Sequence, residues 1–227
     1  MVKDDAIKLT IKNNNYFLLF FFVLLTILFT YEFNTFIQTD DLFAQNLSEK
    51  YTQKIIANYL NLRHQWAWAI YIFIPVALYL STTLIALIIL LVIELYYLNE
   101  SKPKVKFKDT WRIVLMAQWS TLISIFCKIV WFGFVHTHYS LEDLQSFSPL
   151  SLINLFDRKT LDIWFVYPIQ LVNIFELAYW IILVIGIKQL LKRSWLKSIE
   201  MIFLSYGLTL ILWVVVIMFV SLNFSQS

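Results

Sequence analysis

An all-α, polytopic integral membrane protein is the fold class this sequence predicts, and three observations carry the prediction. Five long apolar stretches interrupt the 227-residue chain. About 20 mostly apolar residues are what a helix needs to cross a hydrocarbon core, where every backbone group must be satisfied inside the segment. Hydrophobic residues make up 60% of the chain and the mean hydropathy is +0.70, more apolar matter than one water-soluble core of this size would enclose. Lysine and arginine also alternate between rich and poor along the connecting segments, as they do in multi-pass proteins.

The predicted spans are residues 16–37, 66–98, 111–135, 164–190 and 200–222, in a single membrane domain covering 1–227. Span one follows Lys3, Lys8 and Lys12. Thr30, Tyr31, Glu32 and Phe33 stand where a cleavable signal would need small residues, so this span is expected to stay as an uncleaved signal anchor. Between spans one and two, Leu47, Tyr51, Ile55, Tyr59 and Leu62 recur at helical spacing, with Glu49, Lys50, Gln53, Lys54 and Asn58 around the rest of the turn. This predicts an amphipathic helix over 46–63, lying on the outer leaflet or capping the bundle, with partner docking as the lesser reading. Trp66 and Trp68 then suit the membrane interface.

Span two ends near Glu94, and span three begins near Arg112, a pair of opposite charges expected at the same interface. Between them Lys102, Lys104, Lys106 and Lys108 alternate with Pro103, Val105 and Phe107, which predicts an extended basic strip. Such a strip attracts anionic head groups at about 1 kcal/mol per charge, although topology alone would also produce it. Twelve of the 18 Lys and Arg residues fall in the N-terminal tail, this strip together with Arg112, and the segment carrying Lys188, Lys192, Arg193 and Lys197; five fall in the opposite segments and one lies inside a span. The positive-inside rule then predicts a cytoplasmic N-terminus and an outside C-terminus.

The intramembrane exception is Lys128 in span three. At 1.5 Å per residue it sits about 12 Å in from the outer end, and Glu176 in span four sits about 15 to 18 Å in. Consecutive spans usually pack side by side. Thr121, Ser124 and Lys128 share one face of span three, and Asn173, Glu176 and Trp180 share one face of span four, so the two charges are expected to meet. A lone charge at the bilayer centre costs about 2.5 to 3.5 kcal/mol on insertion scales, which favours pairing. Two roles compete for the pair, a register-fixing contact and part of an ion or proton path; the structural role is preferred because a path needs several ionisable groups in series.

Little else in the chain advertises chemistry. His136 and His138 stand near Glu142 and Asp143, but His-x-His does not put both rings on one helix face and no further His or Cys follows to complete a tetrahedral set, His64 at the outer end of span two being the only other histidine, so no metal is expected. Cys127 is the sole cysteine and lies within a span, where it behaves as a small apolar group. The sequence contains no nucleophile elbow, phosphate loop or paired catalytic carboxylates. No internal repeat is present, and glycine occurs only at Gly133, Gly186 and Gly207, so there is little sign of duplicated halves or unwound helices. Pro75 and Pro168 are read as packing kinks.

Residues 168–177, the run Gly186, Ile187, Lys188, Gln189, Leu190 and Leu191 followed by residues 194–198, and Ser205, Tyr206 and Gly207 resemble bacterial members of the Ypt-interacting-protein (Yip) family. The resemblance implies five spans with a cytoplasmic N-terminus. The Asp-Leu-Tyr-Gly-Pro signature of the eukaryotic relatives is absent, so no Rab-linked role is implied. A bias toward Phe, Ile, Asn and Lys points to a bacterial inner membrane. The expectation is a non-enzymatic accessory or scaffolding subunit whose partners are the lipid bilayer and other membrane protein subunits, with no cofactor and no nucleic acid. The rival is a small transporter or lipid-handling protein using Lys128 and Glu176.

Overall fold

The structure, a computed structural model, describes residues 15–48, 51–98, 104–156 and 161–224. Among these the chain is helical, with one isolated antiparallel bridge, and five helices are long and apolar enough to cross a membrane: Tyr16–Ile37, Gln53–Tyr96, Phe107–Val135, Ile174–Leu191 and Trp195–Asn223. It is a multi-pass helical protein.

Helix α1 (Asn15–Glu32) continues through a wide π turn at Phe33–Ile37. Its Thr26 and Thr30 hydroxyls donate to the Phe22 and Thr26 carbonyls at 2.8 and 2.7 Å, so neither polar group faces lipid unsatisfied. Short α2 (Asp40–Ser48) starts where the Thr39 hydroxyl accepts from the Leu42 amide and two aspartates occupy the first turn, both favourable at a helix N-terminus. The amphipathic segment expected over 46–63 is therefore not one helix. Its beginning belongs to α2, Tyr51 and Thr52 are non-helical, and the remainder opens α3 (Gln53–Tyr96). Nothing between Gln53 and Trp66 breaks a helix, so α3 runs unbroken into span two, beginning 13 residues before the expected start at 66.

Span three is α4 (Phe107–Ala117), a turn at the buried Gln118, α5 (Trp119–Val130) and a second π turn at Trp131–Val135. After α6 (Leu141–Ser146), capped by Ser140 and Asp143, a 3-10 turn at Leu152–Leu155 leads toward span four. That span differs most from expectation. Instead of one helix over 164–190 it is α7 (Ile163–Leu171) and α8 (Ile174–Leu191), interrupted at Val172 and Asn173. The interruption involves no glycine. The Leu152 amide donates to the Val172 carbonyl at 3.0 Å and the Ile174 amide to the Leu150 carbonyl at 3.3 Å, so a loop segment supplies the hydrogen bonds the helix gives up. Span five comprises α9 (Trp195–Ile202), a third π turn at Phe203–Gly207 and α10 (Leu208–Phe224).

One face of α8 packs into the main apolar cluster. Its Tyr179, Leu183 and Ile187 are buried with Ala86, Ile89 and Ile93 of α3, Val114 of α4, and Met201 and Ile202 of α9. Gly186 lets α4 come close: a Cβ there would lie 2.4 Å from the Ile113 side chain. Helix α1 joins through Phe22 against Leu115 and Leu122. A third cluster of Ile37, Leu42, Phe132 and Leu144 ties the first two π turns to α2 and α6 at one end of the bundle. There the Tyr139 hydroxyl donates to the Ile37 carbonyl at 3.0 Å, and burial pushes that hydroxyl above the usual tyrosine range.

Candidate functional site

The break in span four creates a polar place inside the bundle. Because Asn173 is extended and caps α8, its Oδ1 accepts the Glu176 amide at 2.8 Å, and Glu176 falls in the first turn of a new helix. The unpaired amides of that turn carry partial positive charge, a favourable setting for a carboxylate. One carboxylate oxygen, Oε1, accepts two hydrogen bonds: from the Trp180 indole N–H one turn on, at 2.9 Å, and from the Tyr206 hydroxyl of span five, at 2.7 Å.

Tyr206 reaches this oxygen from the π turn at Phe203–Gly207. Its ring packs on Tyr179, with centroids 4.8 Å apart, and edge-on against Trp180 at 5.4 Å. Gly207 makes the approach possible, since a Cβ there would lie 2.8 Å from the Trp180 ring. Among the described residues the buried Tyr179 hydroxyl has no hydrogen-bond partner. Farther along, the Trp213 indole donates to the Tyr167 hydroxyl at 2.9 Å, a second polar link between spans four and five. The arrangement therefore ties α8 to span five.

The structure places the two expected partner charges in different company. Lys128, in the last turn of α5, lies with its ammonium 5.8 Å from the centre of the Phe33 ring, within cation–π reach of the end of span one. Glu176 serves Trp180 and Tyr206. Depth along a helix can be counted from sequence, but the direction a side chain faces around its bundle depends on which neighbours pack where, and α5 packs against both α1 and α8. Thr121 donates to the Gln118 side chain at 3.4 Å, Ser124 is half-buried, and Asn173 stands between helices as a cap rather than along a helix face.

At the far end, Glu94 is exposed on the last turns of α3 and Arg112 is half-buried in α4, on two helices that pack together. Lys102 lies outside the described residues. Lys104, Lys106 and Lys108 are exposed; the strip is non-helical only through Lys106, whose amide donates to Asp109 at 3.3 Å as α4 begins, and Lys108 is already helical.

A second polar cluster escaped the sequence reading. Arg63 on α3 donates to Asp40 at 2.6 Å, to the Asn34 carbonyl at 3.4 Å and to the Gln38 carbonyl, and lies 4.3 Å over the Phe43 ring; His64 meets the other Asp40 oxygen at 2.8 Å. It clamps the corner between α1 and α2 onto α3. Only the pairing of Asp40 with a cation 23 positions on would have hinted at it, and many such pairs exist in any chain. No family model, curated protein or solved structure matches the chain.

Proposed function

We propose that this protein is a non-enzymatic accessory or scaffolding subunit of a larger membrane assembly, residing in a bacterial inner membrane with its N-terminus cytoplasmic and its C-terminus outside. The orientation rests on the lysine and arginine distribution. The Yip-like pattern in spans four and five fits the same plan. The observation that carries the subunit role is helix α3. Its 44 residues make a rod about 66 Å long, against about 30 Å for a hydrocarbon core.

The N-terminal third of α3 accordingly stands beyond the apolar layer, packed on one side by α2, with the Phe43 and Tyr59 rings 6.0 Å apart. Along the same stripe as Tyr59, Ile55, Leu62 and Trp66 are exposed, at the spacing by which one helix meets another. Apolar side chains arrayed this way outside lipid mark an interaction surface. The rival transport reading needs Lys128 and Glu176 to share a path, and Glu176 is instead held by Trp180 and Tyr206.

Size-exclusion chromatography of the tagged protein in mild detergent tests this role. The wild type should migrate in an assembly larger than one chain, and the double variant Ile55→Asp, Leu62→Asp, altered only at exposed positions, should migrate alone. A wild type that runs as a bare monomer, or a double variant that keeps its partners, would sink the proposal.

A further inference from the structure

Beside the end of span three lies a groove of about 820 Å³, bordered by α5, α6 and the loop that leads to the 3-10 turn. That volume falls within the range of small-molecule sites, about 300–1,000 Å³. Its lining changes character with depth. Cys127, the deepest member on α5, lies eight residues before Val135, about 12 Å along the helix axis. Trp131 and Phe132 come next, with Phe147 stacked on Trp131 at 5.2 Å. His136 and Asn154, beyond the end of the span, are exposed and polar. The groove is thus apolar at hydrocarbon depth and polar at its surface, the same gradient as a phospholipid.

Its wall is braced rather than collapsed. Leu150 holds φ 51°, a left-handed conformation unfavourable for a branched side chain, and does so because Ser151 bridges to Asn173 and the Ser151 hydroxyl donates to the Ile169 and Gln170 carbonyls at 3.1 and 3.0 Å. The rim faces outward with bare apolar surface: Leu150, Leu155 and Phe156 are 62, 80 and 50% exposed. At the edge of a bilayer such a rim sits among acyl chains, which makes the groove continuous with the lipid phase.

We propose that this groove holds one acyl chain of a membrane phospholipid, seated along Cys127 and Trp131 with its head group beside His136 and Asn154. Occupancy depends on the chain crossing a bilayer and not on any partner subunit, so failure of the subunit role leaves it standing.

Two measurements test it. The protein is reconstituted in vesicles of phosphatidylethanolamine and phosphatidylglycerol doped with a phospholipid carrying a photoreactive diazirine near its chain terminus. Labelling on residues 127–132 and 147–156 should exceed that on Ile211 and Leu212, exposed positions of α10, several-fold; equal labelling overturns the site. In native mass spectrometry after mild delipidation, the wild type and Ile123→Trp, altered on an exposed face of α5, should each retain one phospholipid, and Cys127→Trp, which fills the floor, should retain none. Retention of no lipid by the wild type, equal retention by Cys127→Trp, or a retained isoprenoid in place of a phospholipid each refutes the proposal. If Cys127→Trp does not fold, the wild-type labelling pattern decides alone.

Discussion

Replacing Tyr206 by Phe removes one hydroxyl and keeps the ring that packs on Tyr179 and Trp180, so its effect isolates the 2.7 Å hydrogen bond to Glu176. Hydrogen bonds between membrane helices are worth about 0.6 kcal/mol on average and about 1.7 at most. A short bond to a carboxyl oxygen inside the bundle belongs near the top of that range, so Tyr206→Phe should cost about 1.5 kcal/mol. Glu176→Leu orphans two donors, the Trp180 indole and the Tyr206 hydroxyl, and each buried orphan costs about 1–3 kcal/mol. That variant should lose about 3 kcal/mol. In its background Tyr206→Phe has no bond left to break and removes one orphan, so its effect should vanish or turn stabilising. The double-mutant cycle therefore yields a coupling of about 1.5 kcal/mol or more. Unfolding of the purified protein by SDS in mixed micelles, followed by tryptophan fluorescence, measures all four corners. If Tyr206→Phe stays within about 0.3 kcal/mol of wild type, or the two changes simply add, the carboxyl does not join spans four and five energetically and the reasoning fails.

Arg63→Ala should free the α1–α2 corner, because it strips Asp40 and the Asn34 and Gln38 carbonyls of a common donor; the expected cost is about 2–3 kcal/mol, with faster proteolysis near residues 38–52 as the readout. Arg63→Lys should not restore protection, since an ammonium cannot span these acceptors as a planar fork does. Gly186→Ala should lower the thermal midpoint in detergent by the equivalent of about 1–3 kcal/mol, because its Cβ meets Ile113 at 2.4 Å, whereas Gly133→Ala, with its nearest contact at 3.9 Å, should leave the midpoint almost unchanged.

The five helices long and apolar enough to cross a membrane were legible because a run of about 20 apolar residues is a one-dimensional signal, readable without knowing any neighbour. The length of α3 was half legible: the periodicity from Ile55 to Leu62 was visible, but its fusion to span two was not, since a helix that leaves the bilayer differs from one lying on it only in the absence of a turn near Trp66. The interruption at Val172 and Asn173 was hidden for another reason. Residues 164–190 read as one apolar helix, and the hydrogen bonds that replace two helical residues come from Leu150 and Leu152, about 20 positions away. Lys128 and Glu176 show the limit most plainly. Positions along a helix can be counted from the sequence, yet around the helix axis one turns to Phe33 and the other to Tyr206.

The loop at 150–152 has consequences at both ends of its contacts. By pairing with Val172 and Ile174 it sets the residue at which α8 begins, and Asn173 as cap then puts Glu176 three positions on, in the first turn and facing the Tyr206 hydroxyl. The same pairing holds Leu150 in its left-handed conformation and keeps the wall of the groove apart from α5. One backbone bridge therefore sets both the buried carboxyl and the apolar groove. A loop that fails to seat would leave the 172–174 backbone groups unsatisfied, a cost lipid cannot relieve because it offers no hydrogen bonds. The bundle is thus selected for the seated loop, and the groove follows from the way span four is interrupted.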